Sequence, residues 1–123
     1  MKTAELPKQY LRGLELFNAG EFYECHEVLE ELWLRVAGDE RALLQALIQT
    51  AAALHHYQRG NIKGALSVQQ RALEKLSQLP PRVLQLDTQA FALDLQRFFA
   101  QASPSSKQPL PFPKIHLRYD GKT

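Results

Sequence analysis

His26 stands four residues before Glu30 in the stretch FYECHEVLEELW, and Gln49, His55 and His56 follow further along the chain. Residues four apart are neighbours on one helix face, so His26 and Glu30 can share a proton or a metal ion. HEVLE is one substitution from the HExxH helix of zinc proteases, with Glu30 where a second His would be. His55 or His56 would then complete a His/His/Glu set for a divalent metal, leaving Glu27 as a free carboxylate to act as base. His26, Glu30 and His56 thus define one reading, a metal-dependent hydrolase-like site. Against it, such a pattern arises easily by chance in a Glu-rich helix, and no strand is evident to lay out a peptide substrate. A diiron site needs carboxylates from four helices, and only this helix offers inward ones.

The other reading is a polar network. Laid out at 100° per residue, Phe22, Cys25, Leu29, Leu32, Trp33 and Val36 share a broad apolar sector, while Glu24, Glu27 and Glu31 lie opposite in solvent. His26 and Glu30 fall at the sector's margin, where they are expected to form a partly buried ion pair. The helix after Gly38 is apolar nearly all round, apart from a stripe of Gln45, Gln49, Ala52 and His56. Buried amides need partners, each unpaired one costing about 1–3 kcal/mol. His26 and Glu30 are the most economical partners for Gln49 and for His56 or His55, with Trp33 and Tyr57 lining a small pocket beside them. A shift of one residue exchanges His55 and His56, so the pattern does not choose between them.

Cys25 is the only cysteine, which excludes an intramolecular disulfide and suits a reducing compartment. It lies deep in the apolar sector and points about 100° away from His26, so it is expected to be inert packing. A Gly-rich phosphate loop, CxxC and GxSxG are all absent from the sequence. His116 is expected to face solvent.

Gly and Pro punctuate these elements. Pro7 opens a first helix that ends at Gly20, and the second runs from about Glu21 to Ala37, with Gly38 after its last turn. Asp39 caps the third, which stops at Gly60. Asn61 caps the fourth, which ends before Pro80 and Pro81, and Asp87 caps a fifth through Ala102. No alternating strand pattern stands out before residue 110, so the fold class is all-α: a compact bundle of about five helices over residues 1–102. Residues 103–123 are Pro-rich and extended, either flexible or docked on the domain. Docking is favoured by Leu110, Phe112, Ile115 and Leu117, and by the alternation of Ile115, Leu117 and Tyr119 with polar residues.

A chain of 123 residues, 45% of them hydrophobic and 23% charged, is that of one globular domain. A net charge of +2 gives no footing for nucleic acid. Residues 21–36 hold five Glu against one Arg, while residues 40–76 hold five Lys or Arg against two Glu, patches that complement each other or face solvent. The N-terminus lacks an apolar signal region, and no run approaches the roughly 20 apolar residues that span a bilayer. A cytoplasmic protein without membrane attachment, monomeric or homodimeric, is expected.

LFNAGEFYECHEVLEEL and HYQRGNIKGALSVQQRAL superpose with Gly20 on Gly60, Phe17 on Tyr57, Phe22 on Ile62 and Cys25 on Ala65. They read as two helical hairpins of one type, akin to the turn of a tetratricopeptide unit. The same two stretches, FNAGEFYECHEVLEELW and ALIQTAAALHHYQRGNIKGA, closely resemble the signature of the domain-of-unknown-function family 309, over residues 10–76. Its signature positions fall on Gly20, Tyr23, Glu24, His26, Glu27, Glu30, Trp33, Gln49, His56, Gly60, Asn61, Gly64 and Ala65. Cys25 departs from the small residue usual there. The resemblance implies a compact all-helical protein, of a kind found in bacteria, archaea and plastids, and carries no activity, substrate or cofactor with it. The expectation is therefore a non-enzymatic binding or scaffold domain for a protein or small ligand, with the metal-dependent hydrolase as its rival.

Overall fold

A computed structural model describes residues 6–102 and 111–117. Five helices follow one another: α1 (Lys8–Asn18), α2 (Phe22–Trp33), α3 (Gly38–Gln58), α4 (Ile62–Ser77) and α5 (Thr88–Gln101). A short antiparallel pair, β1 (Arg82–Val83) and β2 (Leu86–Asp87), lies between α4 and α5. The fold is all-α. The proposed boundary at residue 103 and the expectations for Leu110 and Tyr119 lie outside the described residues.

The most apolar helix takes the central place. α3 packs on α2 along one side and α4 along the other, and Leu43, Leu44, Leu47, Ala51 and Leu54 are all fully buried. At about 1.5–3 kcal/mol for each large side chain removed from water, this row is the main reason α2 and α4 stay against α3. α2 contributes Phe22, Cys25, Leu29 and Leu32 to the same core, the periodicity read from its sequence. α1 is pinned across α2 by Gln9, whose Nε2 donates to the Val28 carbonyl and the Glu31 carboxylate at 2.9 Å each. Arg35 in turn donates to Gln9 Oε1.

The two turns named by Gly20 and Gly60 are the same structure. Their φ values are +79° and +83°, the left-handed region that glycine enters without a Cβ penalty. Gly20 N–H donates to Phe17 and Glu21 N–H to Leu16, at 3.0 and 2.9 Å; Gly60 donates to Tyr57 and Asn61 to His56 at the same two distances.

Two details differ from the sequence reading. α2 ends at Trp33 rather than near Ala37: Leu34, just beyond it, is 66% exposed, and Val36 still packs on the core from outside the helix. Gly38 (φ +68°) therefore opens α3 instead of closing α2, and Asp39 sits in the first turn of α3 rather than capping it. The β1–β2 pair is not legible in the sequence. Its two-residue turn places Leu84 and Gln85 at φ +49° and +62°, positions that Asn-Gly or Asp-Gly normally signals. This conformation costs roughly 1–2 kcal/mol per residue outside glycine, offset by the Tyr10 hydroxyl donating to the Leu84 carbonyl at 3.1 Å. Thr88 braces the far end, its hydroxyl donating to the Pro80 carbonyl at 2.6 Å and its N–H to Pro81 at 3.0 Å.

Candidate functional site

The first turn of α2 and the last turns of α3 enclose a pocket of about 190 Å³ lined by Phe22, Tyr23, His26, Ala52, His55 and His56. The helices run antiparallel, so the start of α2 meets the end of α3 and three imidazoles converge from HEVLE and LHHYQ. Most of the lining is apolar, with the ring nitrogens and the Tyr23 hydroxyl as its polar chemistry.

His55 and His56 have different neighbours. The His55 ring lies 6.0 Å from that of Tyr23, on the α2 side. His56 is held from the α4 side, its Nδ1 lying 3.1 Å from Asn61 Nδ2. Asn61 Oδ1 accepts from the Gly64 N–H at 3.0 Å, which turns the amide nitrogen toward His56. The amide donates, so Nδ1 accepts, and the neutral ring carries its proton on Nε2, an assignment that rests on the hydrogen-bond network. Gly64 makes room for this clamp, since a Cβ there would lie 2.5 Å from Asn61 Nδ2. Three residues of the HYQRGNIKG segment thus form one device around His56: Gly60 turns the chain, Asn61 caps α4 and grips the imidazole, and Gly64 leaves space for Asn61.

The remaining candidates are placed elsewhere. Glu30 is exposed and does not line the pocket. The expected His26–Glu30 ion pair is not formed; among the described residues the ion pair present is Arg12–Glu15. An exposed carboxylate keeps its hydration, and pairing it would add little. Glu27 is exposed too, and touches the pocket only through Tyr23, whose hydroxyl it holds above its ordinary pKa by hydrogen bond and charge. Trp33 is not a pocket wall. Its ring lies under the Arg41 guanidinium, 4.1 Å from the ring centroid, and its Nε1 is buried without a partner among the described residues. Gln49 Oε1 is likewise buried and unpartnered among them, so the network expected to satisfy it is not assembled. Tyr57 faces away, into a cluster of rings with Phe98 at 5.1 Å and Phe112 at 6.0 Å. Among the described residues no three His, Cys, Asp or Glu side chains are grouped as metal ligands.

Cys25 is fully buried, and that burial pushes its thiol up to about 12. It is packing, as its position in the apolar sector indicates. Phe22 and Tyr23 as walls escape the sequence reading: Phe22 looks like ordinary core, and Tyr23 lies between the two sectors, 55% exposed.

A family model described as a domain of unknown function, family 309, matches residues 10–68. That span holds the whole pocket and the Asn61–His56 clamp. An uncharacterized protein of Aquifex aeolicus is 35% identical over 80 residues, covering 64% of this chain and 23% of its own length. The uncharacterized protein YpuF of Bacillus subtilis is 36% identical over 92 residues, covering 65% of this chain and 53% of its own. The chain thus spans about half or less of these two relatives. The crystal structure of a conserved hypothetical protein from Thermus thermophilus superposes with a TM-score of 0.66 at 36% identity, covering 78% of this chain and 99% of that one. The chain belongs to the domain-of-unknown-function family 309. No helix among the described residues is long and apolar enough to cross a membrane.

Proposed function

We propose that the protein is a non-enzymatic binding domain whose recognition site is the pocket between α2 and α3. The supporting observation is the Asn61 clamp. A hydrogen bond to Nδ1 leaves His56 Nε2–H as the donor free to meet a ligand, in a cavity whose other walls are aromatic and apolar. Besides joining the end of α3 to the start of α4, holding one imidazole in a chosen tautomer prepares a donor for an acceptor. The volume of about 190 Å³ lies below the roughly 300–1,000 Å³ of pockets that take a drug-sized molecule. The occupant is therefore a single ring or side chain that offers a hydrogen-bond acceptor, such as one presented by a protein partner. The test is a heteronuclear NMR screen with small aromatic fragments. Expected is a subset that shifts His26, His55 and His56 together, and loses that effect in His56→Ala. A library that leaves all three unmoved would overturn the reading.

The rival is a metal-dependent hydrolase-like site on His26, Glu30 and His56. It has weaker support, since Glu30 is exposed and outside the pocket. Elemental analysis of protein purified without chelator separates the two. One equivalent of zinc, iron or manganese, lost in Glu30→Ala, would favour the hydrolase.

A further inference from the structure

Residues 111–117 have no helix or strand of their own, yet they are held in a way a packed coil does not require. Asn18, in the last turn of α1, reads both backbone groups of one residue: its Nδ2 donates to the Ile115 carbonyl at 2.9 Å, and its Oδ1 accepts the Ile115 N–H at 2.7 Å. Lys114 Nζ adds a bond to the Asn18 carbonyl at 3.1 Å. Ile115 is 5% exposed. Three residues before it, Phe112 meets Phe22 at 5.3 Å, Phe98 at 5.7 Å and Tyr57 at 6.0 Å. A carboxamide paired with N–H and C=O of one extended residue recognises backbone whatever the side chain, and flanking pockets for alternate side chains supply the selectivity.

We propose that the groove between the α1–α2 turn and α5 is a peptide-recognition site, and that residues 111–117 are its intramolecular occupant. The partner it fits is an extended protein segment carrying an aromatic residue, and an aliphatic one three positions later with a basic residue before it: the chemistry of Phe112, Lys114 and Ile115. Three features set this groove apart from a sealed core. The segment is anchored chiefly by Phe112 and Ile115, with Leu117 packing partly buried beside them. Among the described residues its polar bonds go to Asn18, and none joins it to a sheet. Its neighbours Pro111 and Pro113 cannot donate backbone hydrogen bonds, so a foreign segment has little to replace. This inference does not rest on the histidine pocket reading: its polar contacts are made by Asn18 of α1, although Phe112 also meets Phe22, a wall of that pocket.

The experiment uses the full chain and a fluorescent synthetic peptide, PLPFPKIHLRY, added in trans. Because it belongs to the same chain, the protein's own segment competes at an effective concentration of about millimolar, so the unmodified protein should bind the peptide weakly. In Phe112→Ala/Ile115→Ala, whose own segment no longer competes, binding should tighten roughly tenfold or more. Adding Asn18→Ala to that variant should remove the gain, and a peptide with both anchors changed to Ala should not bind. Circular dichroism accompanies each variant. A folded Phe112→Ala/Ile115→Ala protein that binds the peptide no better than the original overturns the proposal. So does a variant that no longer folds, for then the segment is an indispensable part of the core.

Discussion

The turn at Gly20 and the turn at Gly60 share their backbone to within a few degrees of φ and use equivalent hydrogen bonds, but their side chains do different work. At the position two before the glycine, Asn18 reaches out to Ile115, whereas Gln58 reaches across to the Gly20 carbonyl at 3.0 Å and ties the turns together. At the position after the glycine, Glu21 makes no cap, whereas Asn61 caps α4 and orients His56. Three residues further on, Glu24 is exposed, and Gly64 makes the space Asn61 needs. A helical turn set by one left-handed residue therefore specifies the scaffold alone. The residues around it can be given to a peptide strap in one copy and to a histidine in the other.

The comparison breaks most sharply at Phe17 and Tyr57. Phe17 is 1% exposed and stacks edge-on against Phe22 and Phe91, while its counterpart Tyr57 is only partly buried. Phe17→Ala should cost about 3–5 kcal/mol, and Tyr57→Ala distinctly less, as measured by urea denaturation. Equal losses would mean that the two hairpins are equally buried after all. The glycines should behave alike. Gly20→Ala and Gly60→Ala should each lose about 1–2 kcal/mol for placing a Cβ at positive φ, and a large difference would show that one turn relaxes.

The caps come next and should not match. Asn61→Ala should lose about 1 kcal/mol as the N-cap of α4 disappears, and long-range ¹⁵N–¹H spectra should show His56 no longer fixed in one tautomer. Glu21→Ala, which removes no cap, should stay within about 0.5 kcal/mol of the original. The smallest expected effect is at Cys25, the counterpart of Ala65. With its thiol raised to about 12, it stays protonated through the range in which alkylating reagents work. Iodoacetamide at mildly alkaline pH should label the unfolded chain and leave the native one unmodified.

How much can be read from the sequence follows from which signals are local. The glycine turns, the Asn61 and Asp87 caps and the apolar rows of α2 and α3 each depend on residues within one or two turns, and they stand in the sequence plainly. That His26 faces the histidines at the end of α3 is partly legible, because HEVLE and the Gln/His stripe can be laid on facing helices, but the pattern offers His55 and His56 as alternatives where both line the pocket. What fails are statements about partners. Spacing alone assigns Glu30 to His26, but spacing does not say whether a margin residue turns inward, and Glu30 turns to water. Trp33 and Tyr57 are drawn to the pocket as aromatics, whereas one covers the start of α3 under Arg41 and the other joins the rings of α5. Leu84 and Gln85 carry no turn chemistry, since their left-handed conformation is supported from Tyr10, far away in sequence.

Phe22 stands at the boundary of two regions treated separately so far. One side of its ring meets Phe112, and the same side chain is a wall of the histidine pocket. A ring shared in this way gives the two sites a physical contact through which one occupancy can act on the other. A pocket ligand that changes how firmly residues 111–117 are seated must itself be bound tighter or weaker by the same factor when those residues leave. The chain thereby holds the parts of a reciprocal coupling, whose strength a double-mutant cycle between Phe112 and His56 would measure directly.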